Sequence, residues 1–261
     1  MNEQIRSMQA AMERWGYIAE PEIATAVYHA REMKKPLLVE GEAGVGKTEI
    51  AKVLARMLST ELVRLQCYEG LDTNTALYEW NYQRQLLRLK IAERENRDPE
   101  KLEDLIFGRE YLLELLSDFQ ITIPELGTIR AEHPPAVVLT SNRSREIGDA
   151  LRRRCLYLYV EHPGFDKELR ILRGKVPAVS EQLATTVTRF VQKLRGQPLR
   201  KLPGVAETLD WAQALSRLHR DALDAETARA TLGCLLKDEQ DIKATGEEKL
   251  AELLAYASVR E

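Results

Sequence analysis

The sequence has few cysteines, no long apolar run and no excess of charge of one sign. Its three cysteines, Cys67, Cys155 and Cys234, lie far apart and form no C-x-x-C pair, which argues against a disulfide framework and a structural zinc site. A membrane-spanning helix needs about 20 apolar residues, and every apolar run here is far shorter. The first residues, Met1–Arg6, carry a carboxylate and lack the apolar segment of a secretory signal. We therefore expect a cytoplasmic protein with reduced thiols and no membrane span.

Composition and charge indicate a soluble globular chain without a broadly basic surface. Of the 261 residues, 44% are hydrophobic and 30% are charged, which is typical of folded rather than disordered proteins. The 38 lysines and arginines against 41 aspartates and glutamates leave a formal net charge of −3. Because a basic excess is the usual mark of a nucleic-acid-binding surface, we expect no nucleic-acid partner.

The chain divides near Pro163 into a part with alternating strands and helices and a part with helices alone. Strands that alternate with helices indicate βαβ units and a mostly parallel sheet. The sequence thus predicts an α/β fold, with a parallel-sheet domain over residues 1–165 and an all-helical domain over residues 166–261. The predicted strands are Pro36–Glu40, Glu61–Cys67, Ala136–Thr140 and Leu156–Val160, and the predicted helices of the second part are Asp166–Arg173, Ser180–Arg195, Ala206–Leu218, Glu226–Lys237 and Glu247–Val259.

A phosphate-binding loop follows the first predicted strand. Its glycines let successive backbone N–H groups point inward at the start of the next helix, which forms a nest for anions. Lys47 can reach the β- and γ-phosphates of a nucleotide, and the Thr48 hydroxyl can ligate Mg²⁺. We include Glu49, which begins a helix-prone run, in the predicted nucleotide-binding set. The run Gly41-Glu42-Ala43-Gly44-Val45-Gly46-Lys47-Thr48 matches G-x-x-x-x-G-K-[ST] at every fixed position.

Two classes of nucleotide-binding protein are disfavoured by missing motifs. A GTPase needs an N-K-x-D motif to read the base, and the sequence contains none. An ABC-type ATPase needs an LSGGQ-like signature, which is also absent.

Polar groups next to the later strands are candidates for catalysis. Asn142 follows the third predicted strand, where ligands of open α/β sheets gather, and its amide can orient a water against the γ-phosphate. The alternative is an asparagine that only begins a turn. Arg152, Arg153 and Arg154 precede the fourth strand. They are either solvated partners of a helix dipole or include an arginine that stabilises transition-state charge on a neighbouring subunit's nucleotide.

Together these features resemble an AAA+ ATPase. The features that carry the resemblance are Gly41–Thr48, the strand end Thr140-Ser141-Asn142, the segment Ala150–Cys155 and the helical second half. The chain is more narrowly similar to the MoxR branch, and within it to the group associated with maturing metalloenzymes such as carbon monoxide dehydrogenase. The segments that carry this narrower similarity are Leu65–Trp80 and Leu115–Ile129.

The resemblance implies an ATP-hydrolysing, chaperone-like assembly factor whose second domain is a helical lid. It implies ring oligomers, usually hexamers, with ATP·Mg²⁺ held between subunits, a partner with a von Willebrand A domain and a client metalloenzyme. By the same resemblance Asn142 would be sensor 1, and Arg154 or its neighbour Arg153 would be the arginine finger. Tyr17 and Ile18 fall where the family packs the adenine, with ordinary core packing as the alternative.

The sequence departs from the AAA+ pattern because it lacks a Walker B element, an apolar strand that ends in Asp-Glu. Its only Asp-Glu pair, Asp238-Glu239, lies in the helical half. Where the strand is expected, the chain runs into Leu112–Asp118, which predicts an amphipathic helix. Three explanations stay open: an internal loss, a hydrolysis-deficient member that binds ATP as a scaffold, or replacement by another carboxylate such as Glu114 or Asp118.

Two regions outside the catalytic motifs also bear on function. The lid segment Leu202–Trp211 contains no arginine for the sensor 2 position, and the nearby Arg200 and Lys201 are expected to be solvated. The stretch Gln120–Arg130 predicts a hairpin that resembles one with which the family faces partners or the ring pore. A plain surface hairpin is the alternative.

Overall fold

The structure is a computed structural model that describes residues 2–64, 116–117, 119–123, 127–131, 133–144, 146–218 and 222–258. Several sequence predictions lie outside these residues. They include the segment Leu65–Trp80, most of the predicted helix Leu112–Asp118, and the alternative carboxylates Glu114 and Asp118.

Two helices that the sequence analysis did not predict precede the first strand. Helix α1 spans Glu3–Arg14, and the Asn2 side chain caps it by accepting a hydrogen bond from the backbone N–H of Gln4. Helix α2 spans Pro21–Glu32 and begins with proline, which has no N–H to leave unpaired at that position. Apolar side chains of both helices are buried in the core of the α/β part.

The parallel sheet has the order β4-β1-β5 in the described residues. Strand β1 (Leu37–Glu40) is the central strand and is buried at all four positions. It pairs in parallel with β4 (Val138–Ser141) and with β5 (Leu156–Tyr159). The register aligns Glu40 with Ser141 and with Tyr159, so the three carboxyl ends meet at one edge. The first, third and fourth predicted strands are therefore confirmed.

The second predicted strand is wrong over the residues that can be compared. Glu61–Arg64 form no regular structure, and the remainder of that prediction lies outside the described residues. Strands β2 (Gln120–Ile123) and β3 (Gly127–Arg130) form a separate antiparallel pair. The predicted hairpin is thus confirmed, whereas nothing in its geometry tests a role in contacting partners.

Two helices lie between strands of the parallel sheet and carry residues of the predicted nucleotide-binding site. Helix α3 (Lys47–Leu58) starts directly after Gly46, and Ile50, Val53 and Leu54 on one face pack into the core. Helix α4 (Asp149–Arg152) is a single short turn that leads into β5. The two helices place Lys47 and Arg152–Arg154, which we call the arginine segment, near the carboxyl edge of the sheet.

The second half of the chain is helical in the described residues, as predicted. Its fully buried Trp211 packs on Phe190, with ring centroids 5.0 Å apart, and donates its indole N–H to the Thr231 hydroxyl. Ser180 and Asp224 cap helices by accepting hydrogen bonds from backbone N–H groups. The helices are α5 (Phe165–Lys175), α6 (Glu181–Arg195), α7 (Val205–Arg217), α8 (Ala225–Thr231), α9 (Glu239–Ala244) and α10 (Glu247–Ala257).

Two local predictions for this half are corrected. The predicted helix Glu226–Lys237 ends early, because α8 gives way to a 3₁₀ turn over Leu232–Cys234 that contains a glycine. Helix α9 was not predicted, and the Asp238 carboxylate caps it by accepting from two backbone N–H groups. The fold class is nevertheless confirmed: a P-loop α/β domain followed by helices.

Candidate nucleotide-binding site

The phosphate loop adopts backbone conformations that favour glycine. Gly41, Gly44 and Gly46 have φ values of 154°, 76° and 93°, all in the left-handed half of conformational space. A Cβ atom built on Gly41 would lie 2.2 Å from the carbonyl oxygen of Val160, which no real side chain tolerates. Gly46 is the N-cap of α3 and offers no side-chain partner to the first N–H groups of that helix. The loop is thus shaped to present backbone donors to an anion.

Lys47 closes this loop on itself. Its ammonium donates hydrogen bonds to the carbonyl oxygens of Gly41 at 2.8 Å and Glu42 at 2.5 Å. The side chain is buried, and burial lowers the pKa of Lys47, although the Glu42 carboxylate opposes the shift. A triphosphate would compete with these two carbonyls for the ammonium.

A cavity of about 370 Å³ joins the phosphate loop to the end of β4. Two of the lining residues are Lys47, the first residue of α3, and Asn142, the residue directly after β4. Thr48, half-buried on the first turn of α3, is not among the lining residues. The described lining consists of Lys47, Thr140, Ser141, Asn142, Ser144, Glu146 and Ile147. The structure therefore brings two of the sequence-predicted site residues together and adds polar groups that the sequence analysis missed.

The Asn142 side chain is held by its own loop. Its Oδ1 atom accepts hydrogen bonds from the Ser144 hydroxyl at 2.7 Å and from the Ser144 backbone N–H at 3.3 Å. The side-chain oxygen is thereby engaged, which leaves the amide NH₂ as the group that can address a ligand. Asn142 is thus arranged to donate a hydrogen bond, as to a phosphate oxygen.

A buried carboxylate ties the phosphate loop to the arginine segment. Glu40, the last residue of β1, is 2% exposed. Its oxygens accept from Arg152 Nη2 at 2.9 Å and from the Tyr157 hydroxyl at 3.1 Å. The sequence analysis missed Glu40, although a charged residue that ends an apolar strand is a detectable signal, since burial of an unpaired carboxylate is costly. Arg152 also donates to the Ile147 carbonyl oxygen, so it links this carboxylate to the wall of the cavity.

The two arginines predicted as finger candidates occupy different environments. Arg153 is 78% exposed and pairs with Asp149 one helical turn away. Arg154 donates to the Ser117 hydroxyl at 2.5 Å and to the Ala150 carbonyl oxygen at 2.8 Å. Neither of them lines the cavity of its own chain in the described residues.

The helical part contacts the phosphate loop through two glycines. The backbone N–H of Val205, the first residue of α7, donates to the carbonyl oxygen of Gly44 at 3.0 Å. A Cβ built on Gly204 would lie 2.6 Å from the Gly44 Cα atom, so only glycine permits this approach. Glu207 caps the same turn by accepting from the Gly204 N–H. Arg200 and Lys201 are exposed, and their backbone N–H groups donate to Asp241.

A buried ion pair fixes the start of α7. Arg195 donates to both oxygens of Glu168 at 2.6 and 2.7 Å, and these side chains are 7% and 0% exposed. Thr208 donates to the same carboxylate, and the Arg195 Nε atom donates to the Pro203 carbonyl oxygen. Because Pro203 precedes Gly204, this network sets where α7 meets the phosphate loop.

His162 lies at the junction between the two parts of the chain. Both of its ring nitrogens are buried and lack a hydrogen-bond partner among the described residues. Burial lowers the pKa of His162, and Arg195 lowers it further, while Glu168, Glu42 and Glu207 raise it. The imidazole is consequently favoured in its neutral form.

Tyr17 lies beside the phosphate loop, whereas no contact is shown between Ile18 and that loop. A Cβ built on Gly46 would be 4.0 Å from the Tyr17 ring, which is 7% exposed and packs with the core of the α/β part. Burial is also the main cause that raises the pKa of the Tyr17 hydroxyl. Ile18 is half-buried. These positions are compatible both with core packing and with contact to a base.

A phosphate loop that follows the central strand of a parallel sheet and leads into a helix is the arrangement of a P-loop nucleotide-binding fold. Residues 36–104 match the family described as AAA domain (dynein-related subfamily), a segment that includes β1, the phosphate loop and α3. None of the curated proteins matches the chain. Among solved structures 62 chains match it. One of these is a RuvB mutant from Thermotoga maritima, with 17% sequence identity, a TM-score of 0.47, and coverage of 97% of this chain and 82% of that chain.

Two further observations concern metals and membranes. In the part of the chain that the structure describes, no group of three or more His, Cys, Asp or Glu side chains is placed to hold a metal ion. Within the same residues, no helix combines the length and apolar character that crossing a membrane requires.

Proposed function

We propose that this chain is an ATP-hydrolysing AAA+ protein of the MoxR type. The observation that carries the proposal is the shared cavity of Lys47 and Asn142, one from the phosphate loop and one from the end of β4. The match of residues 36–104 to AAA domains supports it. Because the lysine and the asparagine line the same cavity, both can contact one bound triphosphate. Two residues at separate surface positions could not do so.

ATP·Mg²⁺ fits the residues of the phosphate loop. The left-handed glycines and the uncapped start of α3 supply backbone donors for the phosphates, and Lys47 supplies the cation. Thr48 would hold Mg²⁺ through its hydroxyl, and the metal would offset phosphate charge. Tyr17 and Ile18 would contact the adenine.

Asn142 and one of the arginines Arg153 and Arg154 would complete the catalytic groups. Since its Oδ1 atom is engaged by Ser144, Asn142 would donate its amide to the γ-phosphate and so hold it in position for the attacking water. Arg153 is the more exposed finger candidate and pairs with Asp149, whereas Arg154 donates to Ser117 and Ala150. One of these arginines would reach the nucleotide of a neighbouring subunit and stabilise transition-state charge there.

The larger assembly follows from the resemblance to the MoxR branch. We propose a cytoplasmic ring, usually hexameric, with a boundary near residue 165 between the nucleotide-binding domain and the lid. ATP hydrolysis would drive chaperone-like remodelling of a client metalloenzyme together with a von Willebrand A domain partner.

A second candidate function is a nucleotide-binding scaffold that does not hydrolyse ATP. The absence of a Walker B Asp-Glu pair outside the helical half favours it. Steady-state phosphate release separates the two functions. We expect saturable turnover from the purified protein at rates well above a reaction without protein. Background rates at ATP concentrations that saturate binding would select the scaffold instead.

A further inference from the structure

ATP hydrolysis needs a group that accepts a proton from the attacking water. The sequence motifs contain no carboxylate for this role. General bases that accept a proton from the attacking water contribute about 10²- to 10⁴-fold to rates. The sequence has no Walker B glutamate in its first half, and the alternatives Glu114 and Asp118 lie outside the described residues. A general base has to lie within hydrogen-bond reach of the attacking water, so such a carboxylate has to line the cavity.

Glu146 provides the carboxylate among the described residues that line the cavity. The other lining groups are the Lys47 ammonium, the Asn142 amide, hydroxyls and one aliphatic side chain. None of these hydroxyls or amides is a proton acceptor comparable to a carboxylate at neutral pH. Glu146 faces the same space as Lys47 and Asn142, which are the groups proposed to hold the phosphates.

The loop that carries Glu146 is anchored on both sides of it. On one side Ser144 is bonded to Asn142, and the Arg143 N–H donates to the Ser141 hydroxyl at 3.0 Å. On the other side the Ile147 carbonyl oxygen accepts from Arg152 Nε at 3.3 Å. The buried Glu40 holds Arg152 in turn. These bonds hold Asn142–Ser144 before Glu146 and Ile147 after it.

Two other carboxylates near the phosphate loop are occupied by structural contacts. Glu40 is bonded to Arg152 and Tyr157, and Glu49 pairs with Lys52 and Lys175. No described residue forms a hydrogen bond or ion pair with the Glu146 side chain. Glu146 is exposed to solvent, so its carboxylate is accessible to a water molecule in the cavity.

We propose that Glu146 is the general base of the hydrolysis reaction, an inference that rests on the proposed function. Its carboxylate accepts a proton from a water molecule while the water oxygen forms a bond to the γ-phosphorus. The bond between the γ-phosphorus and the β,γ-bridging oxygen breaks, and ADP leaves with that electron pair. The proton on Glu146 then passes to the released phosphate or to solvent, which restores the carboxylate.

The test compares Glu146→Gln with wild type in two separate measurements. We expect steady-state turnover to fall by about 100-fold or more, because the amide cannot accept the proton. ATP affinity, measured by titration of a fluorescent ATP analogue, should stay equal or become tighter, since a negative charge leaves the cavity. Nucleotide released by denaturing the incubated protein should be ATP from the variant and ADP from wild type.

Glu161→Gln is the matched control, because Glu161 is an exposed carboxylate near the same edge of the sheet that does not line the cavity. It should retain wild-type turnover, and thermal unfolding of both variants should match wild type. If Glu146→Gln turns over ATP like wild type, or loses ATP binding together with turnover, the role of Glu146 as base is refuted while the ATPase function stands. A wild-type protein that binds ATP without turnover refutes both.

Discussion

The Lys47 ammonium forms hydrogen bonds within its own loop that a bound nucleotide would replace. The ammonium satisfies two carbonyl oxygens of its own loop, at Gly41 and Glu42. Charge-assisted hydrogen bonds contribute roughly 1.5–3 kcal/mol each to stability. These two bonds therefore stabilise the loop when no stronger acceptor is bound to Lys47. Phosphate oxygens are such acceptors, because they carry full negative charge. The loop is therefore shaped for a nucleotide before one binds.

At the same scale, His162 makes stability depend on pH. Its pKa is lowered in the folded protein, so the unfolded chain binds more protons near and below pH 6.5, the ordinary histidine value. The free energy of unfolding should therefore fall as the pH drops below about 6.5, and the loss is complete below the folded-state pKa. In a His162→Phe variant this part of the decrease should be absent.

Denaturant unfolding of wild type and His162→Phe at pH 7.5 and at pH 5 measures this difference. The variant should be at least as stable as wild type at pH 7.5, because it removes two buried nitrogens that lack partners. Parallel pH dependences for the two proteins would show that His162 is not the titrating group.

At the scale of elements, the start of α7 acts as the link between the helical part and the phosphate loop. A Gly204→Ala substitution would place a methyl group 2.6 Å from the Gly44 Cα atom and 2.7 Å from the Ala43 carbonyl oxygen. We expect α7 to move away from the loop and ATP affinity to fall about tenfold, or ~1.4 kcal/mol. Isothermal titration with ATP measures the effect.

Gly174→Ala is the control for this prediction, because Gly174 is also in the helical part and a Cβ there meets nothing within 4 Å. It should bind ATP like wild type and change in stability by no more than roughly 0.5 kcal/mol, since Gly174 is the second-to-last residue of α5 and an alanine there meets no neighbour. Equal ATP affinities for the two variants would contradict a coupling between α7 and the loop.

The elements that could be predicted from the sequence are those with local signals. Strand β1 and the loop after it combine an apolar run with fixed glycines, and Ser180 and Asp224 are side-chain caps of the usual kind. The pairing of Gly44 with Gly204 joins residues far apart in the chain, and no periodicity carries that information. Glu146 was missed because it belongs to no recognised motif, and its place in the cavity wall is visible only in the folded structure.

At the scale of the whole molecule, Arg153 and Arg154 lead to a prediction of catalysis between subunits. The double variant Arg153→Ala/Arg154→Ala should bind ATP like wild type, because neither side chain lines the cavity of its own chain. Its turnover should fall by about 10³-fold, the lower range for an arginine that stabilises the transferring phosphoryl group.

Mixing experiments show whether this arginine acts across an interface. Lys47→Ala subunits keep both arginines, and the double-variant subunits keep an intact phosphate loop. Assemblies that contain both should recover turnover, because each double-variant site can receive an arginine from its Lys47→Ala neighbour. Turnover that stays at the level of the separate variants would contradict action between subunits.

We propose that the loop Gly41–Thr48 binds a triphosphate through Lys47, and equilibrium ATP binding measures this contribution. Wild-type protein should bind ATP saturably, and Lys47→Ala should bind at least about 100-fold more weakly, a loss of ~2.8 kcal/mol. Lys52→Ala, which removes an exposed lysine from the same helix, should bind like wild type. Undiminished ATP affinity in Lys47→Ala would show that the loop does not bind a triphosphate through Lys47.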